Sequence, residues 1–336
     1  MAVSFAPALE GSAHAAGNDS YDWAQCKNDT SGGDPITGGT TNDNKQDPCQ
    51  WVNGNLGATN SIYAEGDVVP QRAVRTVAVA GSHSITLDHS FFSGGEYTYD
   101  FFATPDYTLK SNLAPCNDVP STGSFGDFGN AECLALYANK TVLPIPTEAS
   151  APTGVNTYTY PHVADAQTDA AADGVTRDLW MSCGYVNNLN NFVAVSCDAQ
   201  ALAILGRGAS NGTLLSAANQ TAAGVDSFTQ LKISFTTPQP NMFIAIWVGG
   251  HLAKTSFWND PARGAYQDLG ASHASGSSFH ERLIFDETGS TGNRDNQLQA
   301  GVVVPSGSLK VMKDDLTNSS TPFPFTANAP LSPTNF

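Results

Sequence analysis

Residues 242–252 read Met-Phe-Ile-Ala-Ile-Trp-Val-Gly-Gly-His-Leu, and residues 242–248 form the most apolar run of the chain. The run has the length of a strand, and a strand this apolar is typical of the middle of a sheet whose two faces are both covered. The Gly249-Gly250 pair that follows it predicts a sharp bend or a bulge. The chain therefore has a central strand around which further strands are expected.

Segments on both sides of this run alternate between apolar and polar residues, as half-buried strands do. Residues 111–135 read as a loop, and one short helix is predicted within 199–224, although its glycines limit the length. Short strands, dense turns and little amphipathic helix indicate an all-β fold, an antiparallel β-sandwich of jelly-roll or immunoglobulin-like type. The predicted strands cover 73–79, 84–89, 97–102, 179–186, 192–197, 228–236, 242–248, 283–285 and 302–304.

The cysteines suggest a cellular location. None stands in a C-x-x-C pair or at zinc-finger spacing from histidines, so a metal cluster is not indicated. They fall as three successive couples around irregular stretches, which predicts three local disulfides rather than free thiols, although six cysteines allow 15 pairings. Disulfides place the protein in an extracellular or cell-surface setting. The residues are Cys26, Cys49, Cys116, Cys133, Cys183 and Cys197.

Composition excludes several partners. The formal net charge is −16, from 15 Lys and Arg against 31 Asp and Glu, and this balance argues against nucleic acids and anionic membranes. No apolar run approaches the ~20 residues of a membrane-spanning helix. Residues 1–9 are too short and lack the basic start of a signal peptide, so an export signal is expected to have been removed or replaced by a start methionine.

The chain divides into three parts by pattern. Residues 1–55 are predicted as an N-terminal arm with a disulfide-tied loop, 56–305 as the main sandwich, and 306–336 as a C-terminal extension. The loop between the first two cysteines is interpreted as an ordinary solvated loop, since no EF-hand spacing is present, and a calcium site on its carboxylates is the alternative. These carboxylates are Asp29, Asp34, Asp43 and Asp47.

Catalytic patterns are weak. No G-x-S-x-G elbow is present, and the best nucleophile pair is Ser278 with His280, which share one strand face. Glycoside hydrolysis needs two carboxylates about 5–10 Å apart, and no spacing selects a pair. The chain is therefore predicted not to be an enzyme, with a secreted hydrolase as a minor alternative. The candidate carboxylates are Glu65, Asp67, Glu96, Asp100, Glu281 and Asp286.

Polar residues at strand ends form a second candidate site. His251, Trp258, His280, Arg282 and Asp286 lie at or near strand ends, where buried polar groups must be paired. They are predicted to form a structural polar network, with a ligand or metal site as the alternative. A structural role is likewise predicted for His83 and His89, which flank one strand, and a ligand or metal site is again the alternative. Six N-x-S/T sequons are candidate glycosylation sites: Asn18, Asn28, Asn139, Asn211, Asn219 and Asn318.

Two blocks resemble a known type of domain. The first runs from Trp51 through Gly57-Ala58-Thr59-Asn60-Ser61 to Pro70. The second runs from Trp247-Val248-Gly249-Gly250-His251 through 276–280 to 295–301. Together they resemble a poorly characterised domain of large bacterial surface proteins, where it precedes prealbumin-like or immunoglobulin-like β repeats. The resemblance implies a secreted β-sandwich with a structural or adhesive role, and it supplies no catalytic residues.

The last residues suggest self-assembly. Residues 308–313 alternate as a strand, and the stretch around 323–328 resembles the second opening strand of a repeat. A strand without its own sheet can pair with the open edge of a neighbouring molecule, and head-to-tail copies then form a filament. Packing in cis is the alternative, and residues 3–9 are another candidate donor. The residues expected at the contact are Leu309, Val311, Phe323 and Phe325.

A second functional hypothesis is a lectin-like adhesin that binds a glycan or a cell-surface partner. Aromatic residues at loop ends would stack on sugar rings, with amides and carboxylates beside them. The candidates are Trp23, Trp51, Tyr107, Trp180 and Trp258.

Overall fold

A computed structural model of the chain describes eleven segments, and every structural statement below refers to them. The segments are residues 20–28, 49–105, 114–116, 119, 128–146, 170–171, 174–208, 227–258, 269–276, 278–285 and 294–305.

The described residues are mainly strands, so the predicted all-β class is confirmed. Two α-helices accompany them, α1 at Asn130–Ala138 and α2 at Thr255–Trp258. The strands are β1 Ser20–Lys27, β2 Gln50–Val52, β3 Asn55–Leu56, β4 Tyr63–Ala64, β5 Val68–Val77, β6 Gly81–Ser93, β7 Glu96–Tyr97, β8 Tyr99–Ala103, β9 Thr141–Pro144, β10 Asp178–Val186, β11 Phe192–Val195, β12 Gln200–Gly208, β13 Ser227–Thr237, β14 Met242–Leu252, β15 Phe279–Phe285, β16 Arg294–Leu298 and β17 Val303–Val304.

Two sheets form the sandwich. The first has the order β11-β10-β14-β5-β1-β2, with β8 also on β14 and β9 also on β10. The second has the order β12-β13-β6-β15-β16-β3, with β7 also on β6. Their ladders are antiparallel except for the short β16–β3 pair, and a separate parallel pair joins β17 to β4. The predicted antiparallel sandwich is therefore confirmed.

β14 lies inside the first sheet, as its apolar run predicts. Ile246 stands opposite Ala73 of β5 on one side and Met181 of β10 on the other. All three side chains belong to the main core, which also contains Leu87 and Leu231 from the second sheet. Because successive residues of a strand point to opposite faces, the other half of β14 faces away from this core.

The outer face of the first sheet is covered by α1 and its disulfide. Ala245 and Trp247 of β14 pack there with Phe128 and Leu136. The Trp247 indole Nε1 donates to the carbonyl of Pro115 at 3.0 Å. This second layer buries both faces of β14, which explains why the strand contains no alternating polar residues.

The structure describes only residues 199–208 of the segment 199–224 in which a short helix is predicted, and in this part the helix prediction is wrong. Residues 200–208 form strand β12, because pairing with β13 outweighs the helical propensity of their alanines and leucines. The longer of the two described helices, α1, falls at 130–138 and overlaps the segment 111–135, which is predicted as a loop. Glu132 accepts a hydrogen bond from the Gly129 N–H at 2.9 Å, which satisfies one free donor at the start of this helix.

The N-terminal boundary also differs from the expectation. The arm assigned to 1–55 contains β1, which lies between β5 and β2 inside the first sheet. Trp23 of β1 is buried in the main core. The first sandwich strand therefore precedes the disulfide-tied loop, and β2 follows it.

Three disulfides join the successive couples, so the predicted local pairing is confirmed. Cys26 bonds to Cys49, Cys116 to Cys133 and Cys183 to Cys197, and no cysteine is free. The bonds connect β1 to the residue before β2, a helical turn to α1, and β10 to the residues after β11. None of the described helices has the length and apolar character needed to cross a membrane.

Candidate functional site

Buried polar side chains gather on both faces of the first sheet at the C-terminal end of β14. The strand pairs with β5 without interruption as far as His251, so the bend or bulge predicted at Gly249-Gly250 is wrong. A register shift occurs one residue later, between His251 and Leu252 in the ladder with β8. Gly250 faces the interior of the sandwich, and His251 faces outward.

The two glycines are needed for close packing. A Cβ on Gly250 would lie 2.3 Å from Glu281 Oε1 and 2.8 Å from Tyr99 Cδ1. A Cβ on Gly249 would lie 2.1 Å from a methyl group of Val68. Because Gly250 has no side chain, the Glu281 carboxyl group and the Tyr99 ring can pack directly against the strand backbone. Glycine inside a strand often marks such a close approach.

The outward-facing group is an Asp–His–Trp network. His251 Nδ1 lies 2.6 Å from Asp100 Oδ1, and Trp258 Nε1 donates to Asp100 Oδ2 at 3.3 Å. Phe101 stacks on the imidazole at 4.1 Å between ring centroids, and Tyr97 stacks on the indole at 3.7 Å. Asp100, His251 and Trp258 are fully buried, so the carboxylate fixes both rings within an aromatic cluster.

The inward-facing group lies between the sheets. His89 of β6 and Glu281 of β15 are direct register partners, with His89 Nδ1 3.6 Å from Glu281 Oε1. The His89 ring stacks on Phe102 at 3.9 Å and on Tyr99 at 5.5 Å. Both His89 nitrogens, the Tyr99 hydroxyl and Glu281 Oε1 are buried and have no hydrogen-bonding partner among the described residues.

Burial opposes charge on this inner group. A separation of 3.6 Å would suit an ion pair, but desolvation raises the pKa of Glu281 well above its usual value and lowers the pKa of His89 well below its usual value. The negative charges of Asp88 and Asp295 raise the Glu281 pKa further. Desolvation therefore opposes ionisation of both the carboxyl group and the imidazole.

A third network lies on the outer face of the second sheet. Arg282 Nε and Nη2 donate to Asp88 Oδ1 and Oδ2 at 2.9 Å and 2.7 Å, a bidentate pair. Gln230 Nε2 donates to the same carboxylate at 3.1 Å, and the guanidinium lies 3.8 Å from the centre of the Phe228 ring. Burial raises the pKa of Asp88 despite the opposing effect of Arg282.

The predicted network residues thus separate into different groups. His251 and Trp258 meet through Asp100, whereas Arg282 pairs with Asp88 on the other sheet. His280 Nδ1 lies 2.9 Å from Asp295 in a half-exposed pair. Within the described residues, no hydrogen bond joins His280 to Ser278, as the nucleophile hypothesis would need. Asp286 lies outside the described residues.

His83 has a structural environment. Its Nε2 lies 2.9 Å from Thr237 Oγ1 and 3.1 Å from the Val79 carbonyl. The ring stacks on Phe235 at 5.2 Å. These contacts hold the turn between β5 and β6 against the end of β13.

The described carboxylates proposed for glycoside chemistry have structural partners. Glu65 accepts hydrogen bonds from the backbone and hydroxyl groups of Thr255 and Ser272, at 2.7–3.2 Å. Asp67 accepts from the Ala64 N–H at 2.7 Å. Glu96 accepts from the Leu269 N–H at 2.5 Å. These groups hold the loops at one end of the sandwich.

Three tryptophans assigned to glycan stacking are buried. Trp23, Trp51 and Trp258 expose 2%, 6% and 2% of their surface, so their rings do not reach a sugar. Trp180 is half-buried, with Lys140 Nζ 5.0 Å from its ring centre. Tyr107 lies outside the described residues. The aromatic basis of the adhesin hypothesis is therefore wrong for these three residues.

One sequon does not fit the folded protein. Asn28 is buried, its Nδ2 donates to the Ile62 carbonyl at 2.6 Å, and its Oδ1 accepts from the Ile62 N–H at 3.0 Å. A glycan on Nδ2 would break this pair. Asn139 is exposed at the end of α1. Asn18, Asn211, Asn219 and Asn318 lie outside the described residues.

The calcium and assembly predictions also fall outside the described residues. This holds for the calcium candidates Asp29, Asp34, Asp43 and Asp47. It holds equally for the assembly residues Leu309, Val311, Phe323 and Phe325.

Sequence reasoning did not group His89 with Glu281 or Asp100 with His251. A signal for the first pair was present, because His89 continues the odd-numbered apolar positions Ile85 and Leu87. Glu281 similarly stands between Phe279 and Leu283, so both polar residues fall on an inward face. Only the register of β15 on β6 brings them side by side.

Comparison with protein-family models, with curated proteins and with solved structures found no match to this chain.

Proposed function

We propose that this protein is a non-enzymatic extracellular structural subunit that joins copies of itself by β-strand addition. The observation that carries the proposal is the edge of the second sheet at β12. This nine-residue strand pairs with β13 on one side. On its other side, no strand among the described residues pairs with it.

The composition of β12 favours pairing at this edge. Natural edge strands are protected by lysines, prolines, short length or bulges. The sequence of β12, Gln-Ala-Leu-Ala-Ile-Leu-Gly-Arg-Gly, has no proline and one charge, Arg207. Two register shifts in its ladder with β13 are its only edge protection of those kinds. The edge strands β2 and β11 have only three and four residues, so they offer much shorter ladders.

The sequence supplies a complementary donor. Residues 308–313 alternate between polar and apolar residues, as a strand does. Six residues in a strand extend over about 20 Å, so this segment fits within the length of β12, which is about 30 Å. A donor from one molecule on the β12 edge of the next gives a heterologous contact, and such contacts build open filaments. The disulfides suit an oxidising location such as the cell surface. The resemblance to a domain of bacterial surface proteins also favours a structural role outside the cell.

The test compares the full chain with a variant that lacks residues 306–336. Negative-stain imaging and light scattering over a range of concentrations should show filaments for the full chain and single particles for the truncated protein. A synthetic peptide of residues 306–316 should inhibit assembly, and a scrambled peptide of the same composition is the control.

Hydrogen exchange locates the contact. Amides of β12 should gain protection on assembly, while those of edge strand β11 should not change. The proposal is wrong if the full chain stays monomeric at all concentrations, if the truncated protein assembles as the full chain does, or if β12 remains unprotected in the filament.

A further inference from the structure

The polar atoms that converge between the sheets define an internal binding site. Four atoms contributed by three strands lack a protein partner within the described part of the chain: His89 Nδ1, His89 Nε2, Tyr99 Oη and Glu281 Oε1. His89 and Tyr99 are fully buried, and Glu281 exposes 1% of its surface. We call this group the polar chamber.

The atoms of the polar chamber lie close together. His89 Nδ1 is 3.6 Å from Glu281 Oε1, which is too long for a direct hydrogen bond. The Tyr99 ring lies 5.5 Å from the His89 ring. A Cβ on Gly250 would touch both Glu281 Oε1 and the Tyr99 ring. The absence of a side chain at Gly250 therefore leaves the space that the Glu281 carboxyl group and the Tyr99 ring occupy next to the strand.

Two further buried amide side chains lie on the inner face of the first sheet. Gln25 and Gln71 are register partners on β1 and β5, and both are fully buried. Gln25 Oε1 and both amide atoms of Gln71 also lack partners among the described residues. A buried polar atom without a partner destabilises the folded protein, so a guest that bonds to these atoms is favoured.

We propose that the polar chamber binds a small cluster of water molecules, which bridge His89 to Glu281 and Tyr99 between the two sheets. A buried water makes about three hydrogen bonds to otherwise unsatisfied groups. The two imidazole nitrogens point in different directions, so one water molecule cannot bond to both. About two waters are therefore the smallest cluster that satisfies His89 and its neighbours.

Water fits the chemistry better than a cation does. Burial opposes the charged forms of both Glu281 and His89, and a neutral guest that can donate and accept hydrogen bonds suits such an environment. A group of three or more His, Cys, Asp or Glu side chains able to hold a metal does not occur among the described residues. The guest must also bond to a phenol and to amides, and water serves each of these groups.

The experiment counts long-lived internal waters by oxygen-17 magnetic relaxation dispersion on the full chain. The variant His89→Phe/Glu281→Leu removes the polar groups, and Leu283→Met, on the same strand β15, is the matched control. We expect the double variant to hold about two fewer long-lived waters than the wild type. The control should hold the same number as the wild type.

A milder variant covers the case in which the double variant does not fold. Tyr99→Phe removes only the hydroxyl group, and it should lose one bridging water or release it faster. The proposal is overturned if the wild type and Tyr99→Phe give the same water count and exchange rate, or if the folded double variant matches the wild type. A metal found in equimolar amount by elemental analysis of the natively purified wild type, and absent from the folded double variant, would also overturn it.

Discussion

His251 Nδ1 lies 2.6 Å from Asp100 Oδ1, and both side chains are fully buried at the end of the central strand. The carboxylate also accepts from Trp258 Nε1, so one acidic group fixes an imidazole and an indole. The three residues come from β14, β8 and α2, so the network links the end of the sheet to the helix that packs on it.

Asp100→Asn should destabilise the protein by about 2–4 kcal/mol, because the buried network loses its negative charge and one of the two acceptor oxygens. Urea unfolding followed by tryptophan fluorescence measures this change. Asp295→Asn is the matched control, since Asp295 pairs with His280 at the half-exposed surface, and the loss there should be below about 1 kcal/mol. Equal losses in the two variants would contradict a structural role for the buried network.

Glu281→Gln should change how stability depends on pH. The folded-state pKa of Glu281 is raised by burial and by Asp88 and Asp295, so the folded state holds a proton that the unfolded chain releases. Wild-type stability should therefore fall as the pH rises above the unfolded glutamate pKa of about 4.3, by about 1.4 kcal/mol per pH unit until the folded-state pKa is reached.

The glutamine variant keeps the shape but has no proton to release. Relative to the wild type, it should be more stable at pH 7–8, and the difference should shrink toward pH 4. Urea midpoints from pH 4 to 9 measure both curves. Parallel curves would show that Glu281 does not carry a raised pKa in the folded protein.

His89→Gln should act in the opposite pH range. Burial and the positive charge of Arg177 lower the pKa of His89 in the folded state, so only the unfolded chain takes up a proton as the pH falls below about 6.5. The wild type should lose up to about 1.4 kcal/mol per pH unit from this group between pH 6.5 and 5. The His89→Gln variant should not show this part of the stability loss. Thermal unfolding of both proteins at pH 7.5 and pH 5 measures the difference. An equal loss of stability in both proteins would contradict a lowered pKa of His89.

Gly250→Ala should destabilise the protein by about 1–3 kcal/mol, because the new methyl group overlaps the Glu281 carboxyl group and the Tyr99 ring. Gly301→Ala is the control, since a Cβ at Gly301 meets no atom within 4 Å, and its change should stay within about 0.5 kcal/mol. The two unfolding midpoints are compared at the same pH. If Gly250→Ala leaves the unfolding midpoint unchanged, the Glu281 carboxyl group and the Tyr99 ring do not pack as closely on the strand as described.

Arg282→Met should destabilise the protein by about 3–5 kcal/mol, because the buried Asp88 carboxylate loses its bidentate partner. The double variant Asp88→Leu/Arg282→Met should recover at least half of this loss, since no unpaired charge remains. Urea unfolding of the wild type, both single variants and the double variant gives the coupling energy. Additive losses would show that the two side chains act independently.

Local pattern identified some of the polar residues, but long-range register decided their partners. Positions near strand ends point to His251, Trp258 and Arg282, yet Arg282 lies on the second sheet, apart from the Asp100 network that joins His251 to Trp258. Asp100 and Glu281 were only two of several acidic residues in the sequence. Their roles appeared when β8 paired with β14 and β15 paired with β6, because these pairings join residues more than 150 positions apart.

Helix and strand assignments show the same limit. Residues 200–208 contain alanine and leucine, which favour a helix, but their ladder with β13 makes them a strand. The pattern of residues 111–135 predicts a loop, although residues 130–138 form a helix that buries Cys133 and Leu136 against the sheet. Propensity is a weak preference that packing overrides in both directions.

Strand period, apolar run length and cysteine spacing are short-range signals, so the all-β class, the central position of residues 242–248 and three local disulfides could be predicted from residue order alone. The meeting of the buried polar groups, the edges of the sheets and the need for glycine at position 250 became visible in the folded protein. These features depend on contacts between distant segments, and the free energy of such contacts is set by the packing of both sheets rather than by neighbouring residues.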